Sequence, residues 1–295
     1  MIRFWSCLLC AFSAVSLAQT PKPAAPAPNT DVMVVAVSHD NSVLGGGIDS
    51  GRPYAGKKVS VEPLAWITPS GEWKKILCDY GRPTECKKFE REYLKKPHTY
   101  TVVSADGRGA SVKTNEMSLD DECFGYGGDG TFSGNSISYA TVAAESTDLF
   151  ISGKSARRLA EPEAEPIRKA FAVAAGDKLA STKNMRVYSV QLEDRNLIVV
   201  QRAFQNFAEV PDIGPQEPTP FIFAIGSMNQ GKFHLLFWKE NTIDENEQIL
   251  GLVHLKNGRD YLVNTVSDPE TQFFRIYGIR NGKLTLVFSG AGGGC

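Results

Sequence analysis

The sequence predicts a mainly β fold of antiparallel meander sheets, arranged as a sandwich, a partial barrel or an incomplete propeller-like array, with two short helices. Three observations carry that reading. Apolar runs rich in Val, Ile, Phe and Tyr recur at short spacing, as half-buried strands require. The breaks between them are tight, as at Ser70-Gly71, Gln230-Gly231, Asn257-Gly258 and Asn281-Gly282. From residue 184 to 288 eight strands follow one another with no helix between them, whereas parallel βαβ units would need one.

Taken in order, the chain opens on a signal-peptide pattern over residues 1–18. Arg3 supplies the basic start and Phe4 to Val15 the apolar stretch. Ser16-Leu17-Ala18 offers the small residues that precede cleavage, expected between Ala18 and Gln19. That stretch is too short to span a bilayer, and no later segment approaches the ~18 apolar residues of a spanning helix. Cys10 follows bulky Leu9 and Cys7 follows only a short apolar stretch, so no lipid anchor is expected. The expectation is an exported protein, periplasmic or extracellular, without an integral membrane segment. Residues 19–30, QTPKPAAPAPNT, form a Pro/Ala linker that cannot build a core.

An N-terminal β-rich domain with one helix is expected over 31–152, and a charged, proline-punctuated linker over 153–165. A C-terminal helix plus the eight-strand meander is expected over 166–295. The run DVMVVAV from Asp31 is the first strand. TECKKFEREYLKK reads as a helix capped by Thr84 and ended before Pro97, with Cys86, Phe89 and Tyr93 on one face. EPIRKAFAVAAG reads as a second helix, with Pro166 in its first turn and Gly176 as its stop. Asn257-Gly258 and Asn281-Gly282 are the strongest hairpin signals, because both central residues of a type I′ turn need positive φ.

Composition is that of a folded chain: 42% hydrophobic and 22% charged, with a net charge of -1 that becomes -2 when Arg3 leaves. Such a balance gives no electrostatic reason to expect nucleic acid or an anionic membrane as partner. Of six cysteines, Cys7 and Cys10 leave with the leader; Cys78, Cys86, Cys123 and Cys295 stay. In an oxidising compartment an even set reads as disulfides, with three connectivities open. The segment CDYGRPTEC can turn back on itself at Gly81 and Pro83, which pairs Cys78 with Cys86 and leaves Cys123 for Cys295 behind its glycine tether. Among these four, no Cys-x-x-Cys and no nearby histidine supports zinc instead.

The search for chemistry yields little. Gly153-Lys154-Ser155 ends like a phosphate loop, but the glycine required at 148 is Asp148. Ile48-Asp49-Ser50-Gly51 resembles the aspartic-protease signature, whose chemistry needs a second carboxylate and hence a second copy that the chain lacks. His39-Asp40 and His98 fall in expected loops without a nucleophile, and no Gly-x-Ser-x-Gly elbow is present. KENTIDENEQ, with Asp244, Glu245 and Glu247, reads as a solvated loop, since it lacks the glycine a calcium loop bends on. Lys87, Arg91 and Lys95, interleaved with Glu85, Glu90 and Glu92, read as a salt-bridged helix surface.

Matching the apolar faces of 232–238 and 250–256 sets Lys232 opposite Lys256, His234 opposite His254, and Trp238 opposite Leu250. Trp238, His234 and His254 are then the candidate ligand groove. The segment from Ile249 to Gly290 resembles a single blade of the FG-GAP type found in integrin-like propellers and many exported bacterial proteins. Within it, LKNGRDYLV (Leu255 to Val263) is similar to that family's Asp-rich turn and strand. Lys256 and Asn257 stand where its calcium-binding aspartates would be, so the metal site is not carried over. The expectation is an exported, disulfide-stapled module that binds an unknown ligand or envelope protein without catalysis and without cofactor or metal. A secreted or periplasmic hydrolase with a loop-assembled site is the alternative.

Overall fold

The structure is a computed structural model. It describes residues 30–38, 58–76, 83–104, 109–119, 126–134, 140–151, 153, 156–176, 179, 185–202, 221–241, 245–267 and 271–290. The leader and linker, Cys78, Cys123, Cys295, His39, Asp40 and the Asp49-Ser50-Gly51 triplet lie outside these residues.

The fold is mainly β, antiparallel throughout, with two helices. The first half carries β1 (Val32–Ser38), β2 (Lys58–Ile67), β3 (Trp73–Lys74), β4 (His98–Val102), β5 (Ser111–Thr114), β6 (Ser118–Leu119), β7 (Tyr126–Ser133) and β8 (Ala140–Ala144). Six of these run in the order β2-β1-β8-β4-β5-β7, and β7 pairs again with β2, which closes a partial barrel. Its wall is thinnest between β4 and β8, where two residue pairs meet. Helix α1 (Pro83–Phe89) runs into a π-helical turn, Glu90–Leu94, and packs Cys86, Tyr93 and Leu94 into the barrel core beside Met33, Val35 and Tyr100. The predicted buried face is therefore correct. The helix starts at Pro83, so Thr84 lies inside it rather than capping it.

In the second half, β9 (Arg157–Arg158), β10 (Arg186–Leu192), β11 (Arg195–Arg202), β12 (Phe221–Asn229) and β13 (Lys232–Asn241) form one sheet in chain order. β14 (Asn246–His254), β15 (Asp260–Ser267), β16 (Gln272–Arg280) and β17 (Lys283–Gly290) form another. The eight expected strands exist as β10–β17, but they fold as two meanders with no pairing between β13 and β14. Helix α2 (Glu161–Ala175) begins within the segment expected as linker, and Pro162 rather than Pro166 occupies its first turn. Gly176, at φ 58, ends it.

The four-stranded sheet is the middle layer. Ile249, Leu252, Leu262 and Tyr277 on one face pack against Val190, Val199, Phe223 and Ile225 of the five-stranded sheet. Leu250, Val253, Val263 and Ile276 on the other pack against Val34, Ala36 and Leu64 of the barrel. Every residue of β14 and β15 is buried as a result. The same logic explains why β1 is apolar without alternation: Met33, Val35 and Val37 fill the barrel, whereas Val32, Val34 and Ala36 face the middle sheet. On the far side of the five-stranded sheet, α2 lays Phe171 and Ala175 over Val200, Ile222 and Ala224.

All three layers gather their tight turns at one end. There the Glu193 N–H donates to the Asp260 carboxylate, and the Tyr261 hydroxyl donates to the Gly71 carbonyl. Asn281 and Gly282 both have positive φ, 50° and 69°, as the type I′ expectation requires. At 257–258 only Gly258 is positive, because the hairpin is one residue longer: Leu255 N–H bonds to Arg259 and the Arg259 N–H caps Asn257 Oδ1. At the opposite end Ser38, Arg202, Asn241 and Ser267 lead into the connections 39–57, 203–220, 242–244 and 268–270.

Candidate functional site at the loop end

The middle sheet turns polar where those connections leave it. On the face toward the five-stranded sheet, Arg275 and Asn264 are cross-strand partners, with Tyr277 two residues along. Glu247 begins the same face on β14, and its side chain is 0% exposed. It accepts hydrogen bonds from Arg275 Nη1 (2.8 Å), Tyr277 Oη (2.7 Å) and Asn264 Nδ2 (2.9 Å). Arg275 Nη2 reaches Glu245 at 3.0 Å, and Lys239 Nζ approaches the same carboxylate at 3.4 Å. Burial opposes ionisation of Glu245, but Arg275 and Lys239 outweigh it and hold its carboxyl below the ordinary range. Burial likewise pushes the Tyr277 phenol up, and the Glu247 carboxylate adds to the shift. Two cations and two carboxylates satisfy one another here, so the charges of this face are closed, although Asn264 Oδ1 beside them has no hydrogen-bond partner among the described residues. The expectation of a solvated acidic loop fails at Glu247, which belongs to a fully buried strand.

The face toward the barrel is different. Gln248, Thr265 and Phe274 form one cross-strand row, and Asn246, Ser267 and Gln272 the next. Opposite them the barrel presents Ser38, Ser60 and Glu62, which share the outward faces of β1 and β2. Gln272 Nε2 donates to Glu62 Oε2 at 2.8 Å. Glu62 keeps some exposed surface yet is densely surrounded, and burial raises its carboxyl to about 7 against the partial opposition of the Gln272 hydrogen bond. Among the described residues no charged neighbour contributes to that shift. Ser38 Oγ and Thr265 Oγ1 are buried in the same seam with no hydrogen-bond partner among the described residues. This seam has chemistry left over.

The histidines are placed elsewhere. His254 and His234 do not face each other: His254 lies opposite Asp260, and His234 opposite Ser227. The groove expected from Trp238, His234 and His254 therefore does not form. The expected faces also break: bulges in β13 and β14 put Phe233 and Phe237 in different cores, and likewise Leu250 and Leu252, and each strand pairs with a sequential neighbour. Trp238 instead stacks on Phe171 of α2 at 5.6 Å. At the turn end, His254 Nδ1 meets Asp260 Oδ1 at 2.9 Å. Gly153 runs so close that a Cβ there would sit 1.6 Å from the His254 ring, which explains the glycine that had suggested a phosphate loop.

His98 opens β4 rather than lying in a loop. Its Nδ1 meets Glu145 Oε1 at 2.9 Å, its Nε2 meets the Tyr93 carbonyl at 2.8 Å, and its ring stacks on Tyr93 at 4.1 Å. Tyr93 also donates to Glu145 at 2.7 Å. Burial, then Tyr100 and Glu145, push the Tyr93 phenol up, so it is a fixed donor. This cluster clasps the π-helical turn to the barrel. Arg91 pairs with Glu92 (3.3 Å) and Lys95 with Glu90 (3.5 Å) on the exposed side, as the charge pattern predicted.

Cys86 is buried and disulfide-bonded, and the cysteine opposite it lies outside the described residues. No group of three or more metal-ligating side chains occurs among the described residues, and none of their helices is long and apolar enough to cross a membrane.

The fold and the site thus define a class: a layered β protein, barrel against sheet against sheet, with a polar seam at its loop end. Comparison with known proteins adds no relative, because no family model, curated protein or solved structure matches the chain.

Proposed function

We propose that this is an exported, disulfide-stabilised binding module that engages its ligand or envelope partner at the loop end of the β layers. One observation supports this most. Three polar groups with bonding capacity left over, Glu62, Ser38 and Thr265, lie together in the seam where the connections leave the scaffold, and among the described residues no charged group contributes to the shift of Glu62. The end of a β scaffold where its connections leave is a usual place for recognition. The leader pattern ending at Ala18 supports export, and the pairs Cys78–Cys86 and Cys123–Cys295 complete the reading. The FG-GAP-like blade, Ile249 to Gly290, fits the same exported class.

The alternative hydrolase rests on a specific geometry, the carboxylate Asp260 orienting His254 through Nδ1, which is how a triad histidine is held. The test separates the two. Protein expressed with its own leader is recovered from the envelope or medium, its N-terminus is sequenced, and it is assayed against chromogenic ester, glycoside, phosphate and peptide substrates. The expected outcome is a chain beginning at Gln19 with no turnover. Turnover that disappears in His254→Ala would overturn the binding reading, and a chain retaining Met1 would overturn export.

A further inference from the structure

We infer that the loop end of the seam between barrel and middle sheet, around Glu62, Ser38 and Thr265, is a binding site for a protonated primary amine. The inference rests on the binding reading above and deepens it. Gln272 occupies Glu62 Oε2, which leaves Oε1 as an acceptor. Ser38 Oγ and Thr265 Oγ1 are two more, each on a residue that is nearly fully buried. A primary ammonium carries three N–H donors and one positive charge. It therefore matches three acceptors and a carboxylate with no cationic partner among the described residues.

Other ligand classes fit less well. An anion would meet the carboxylate, with no cationic group contributing to the titration of Glu62. A neutral polyol would satisfy the hydroxyls but leave the desolvated charge unpaired, which is the costly state. The neighbouring cluster of Arg275, Glu245 and Glu247 is no competitor, because its charges already satisfy one another. Asp129 lies opposite Ser60 on β7 but is exposed, and Lys58 at the start of β2 is exposed too. With burial holding Glu62 at about 7, the site would be charged and competent mainly above neutrality.

The test uses ¹⁵N-labelled protein titrated with ethylammonium chloride at constant ionic strength, with ethanol and sodium acetate as controls. Ethylammonium should move the Gln272 side-chain amide and the Thr265 backbone amide. Its Kd should be roughly tenfold or more tighter at pH 8 than at pH 5.5, following the ionised fraction of Glu62. Glu62→Gln should abolish the effect. Thr265→Val, which removes one acceptor and keeps the shape, should weaken it severalfold and serves if the first variant does not fold. Equal shifts with ethanol or acetate, or binding indifferent to pH and to both variants, would overturn the site. A blank titration also overturns it but leaves the binding reading, which falls instead on substrate turnover.

Discussion

The two ends of this molecule solve the same problem in opposite ways. At the turn end, most buried polar groups close on a neighbouring turn, Glu193 on Asp260, Asp260 on His254, Tyr261 on Gly71, with the Trp73 indole N–H left without a partner among the described residues. At the loop end the buried residues of the middle sheet are themselves polar, from Asn246 to Gln248 on β14 and from Asn264 to Ser267, Val266 aside, on β15. Buried polar groups add little to stability even when satisfied and cost about 1–3 kcal/mol each when they are not. An end that carries so many of them is built for something other than holding the fold.

The comparison is tested most strongly at Arg275. Replacing it with Met removes the only cation bonded to Glu247 among the described residues and leaves that carboxylate buried. The expected loss is about 3–5 kcal/mol in urea unfolding. A loss below about 1 kcal/mol, the range of surface pairs, would mean the cluster is hydrated and the loop end is not a dry polar core.

The next effect is a pH dependence at Glu62. Its folded-state value, about 7, lies above the 4.5 of the unfolded chain. The stability it contributes is therefore fully present below pH 4.5 and is lost as pH rises through 7. The shift corresponds to about 3 kcal/mol at most, read from chemical denaturation at pH 4.5 and pH 8.5. Glu62→Gln should flatten that slope; an unchanged slope would place its origin elsewhere and remove the contrast between the two seams.

The smallest expected effect is at the turn end. Gly153→Ala forces a methyl into the His254 ring, and overpacking of that kind costs about 1–3 kcal/mol. It should leave the loop end untouched, so Gln272 and Thr265 amide resonances should keep their positions. If they move, the two ends are coupled through the middle sheet.

The local code was easy to read, and the layering was not. Hairpins at Gln230-Gly231 and Asn281-Gly282 follow from backbone chemistry within four residues, so they were legible. The run of β1 was legible as a strand, but that both faces are buried depends on a sheet more than 200 residues away. The register between 232–238 and 250–256 failed because face matching names compatible strands without saying which of several is the neighbour. Glu247 was missed for a related reason. A charged residue in a short acidic run looks solvated unless its partners, Asn264, Arg275 and Tyr277, are known to lie across the sheet. Glu62 had no sequence signal at all, since its perturbation comes from packing.

The double burial of β1 also governs the order in which the chain can assemble. One of its faces is covered by Leu250, Val263, Ile276 and Phe288, so the first strand to emerge from synthesis waits for nearly the last. Contacts between such distant segments are slow to form, because a long loop must close before any of them is rewarded. A polypeptide of this design stays open until it is complete.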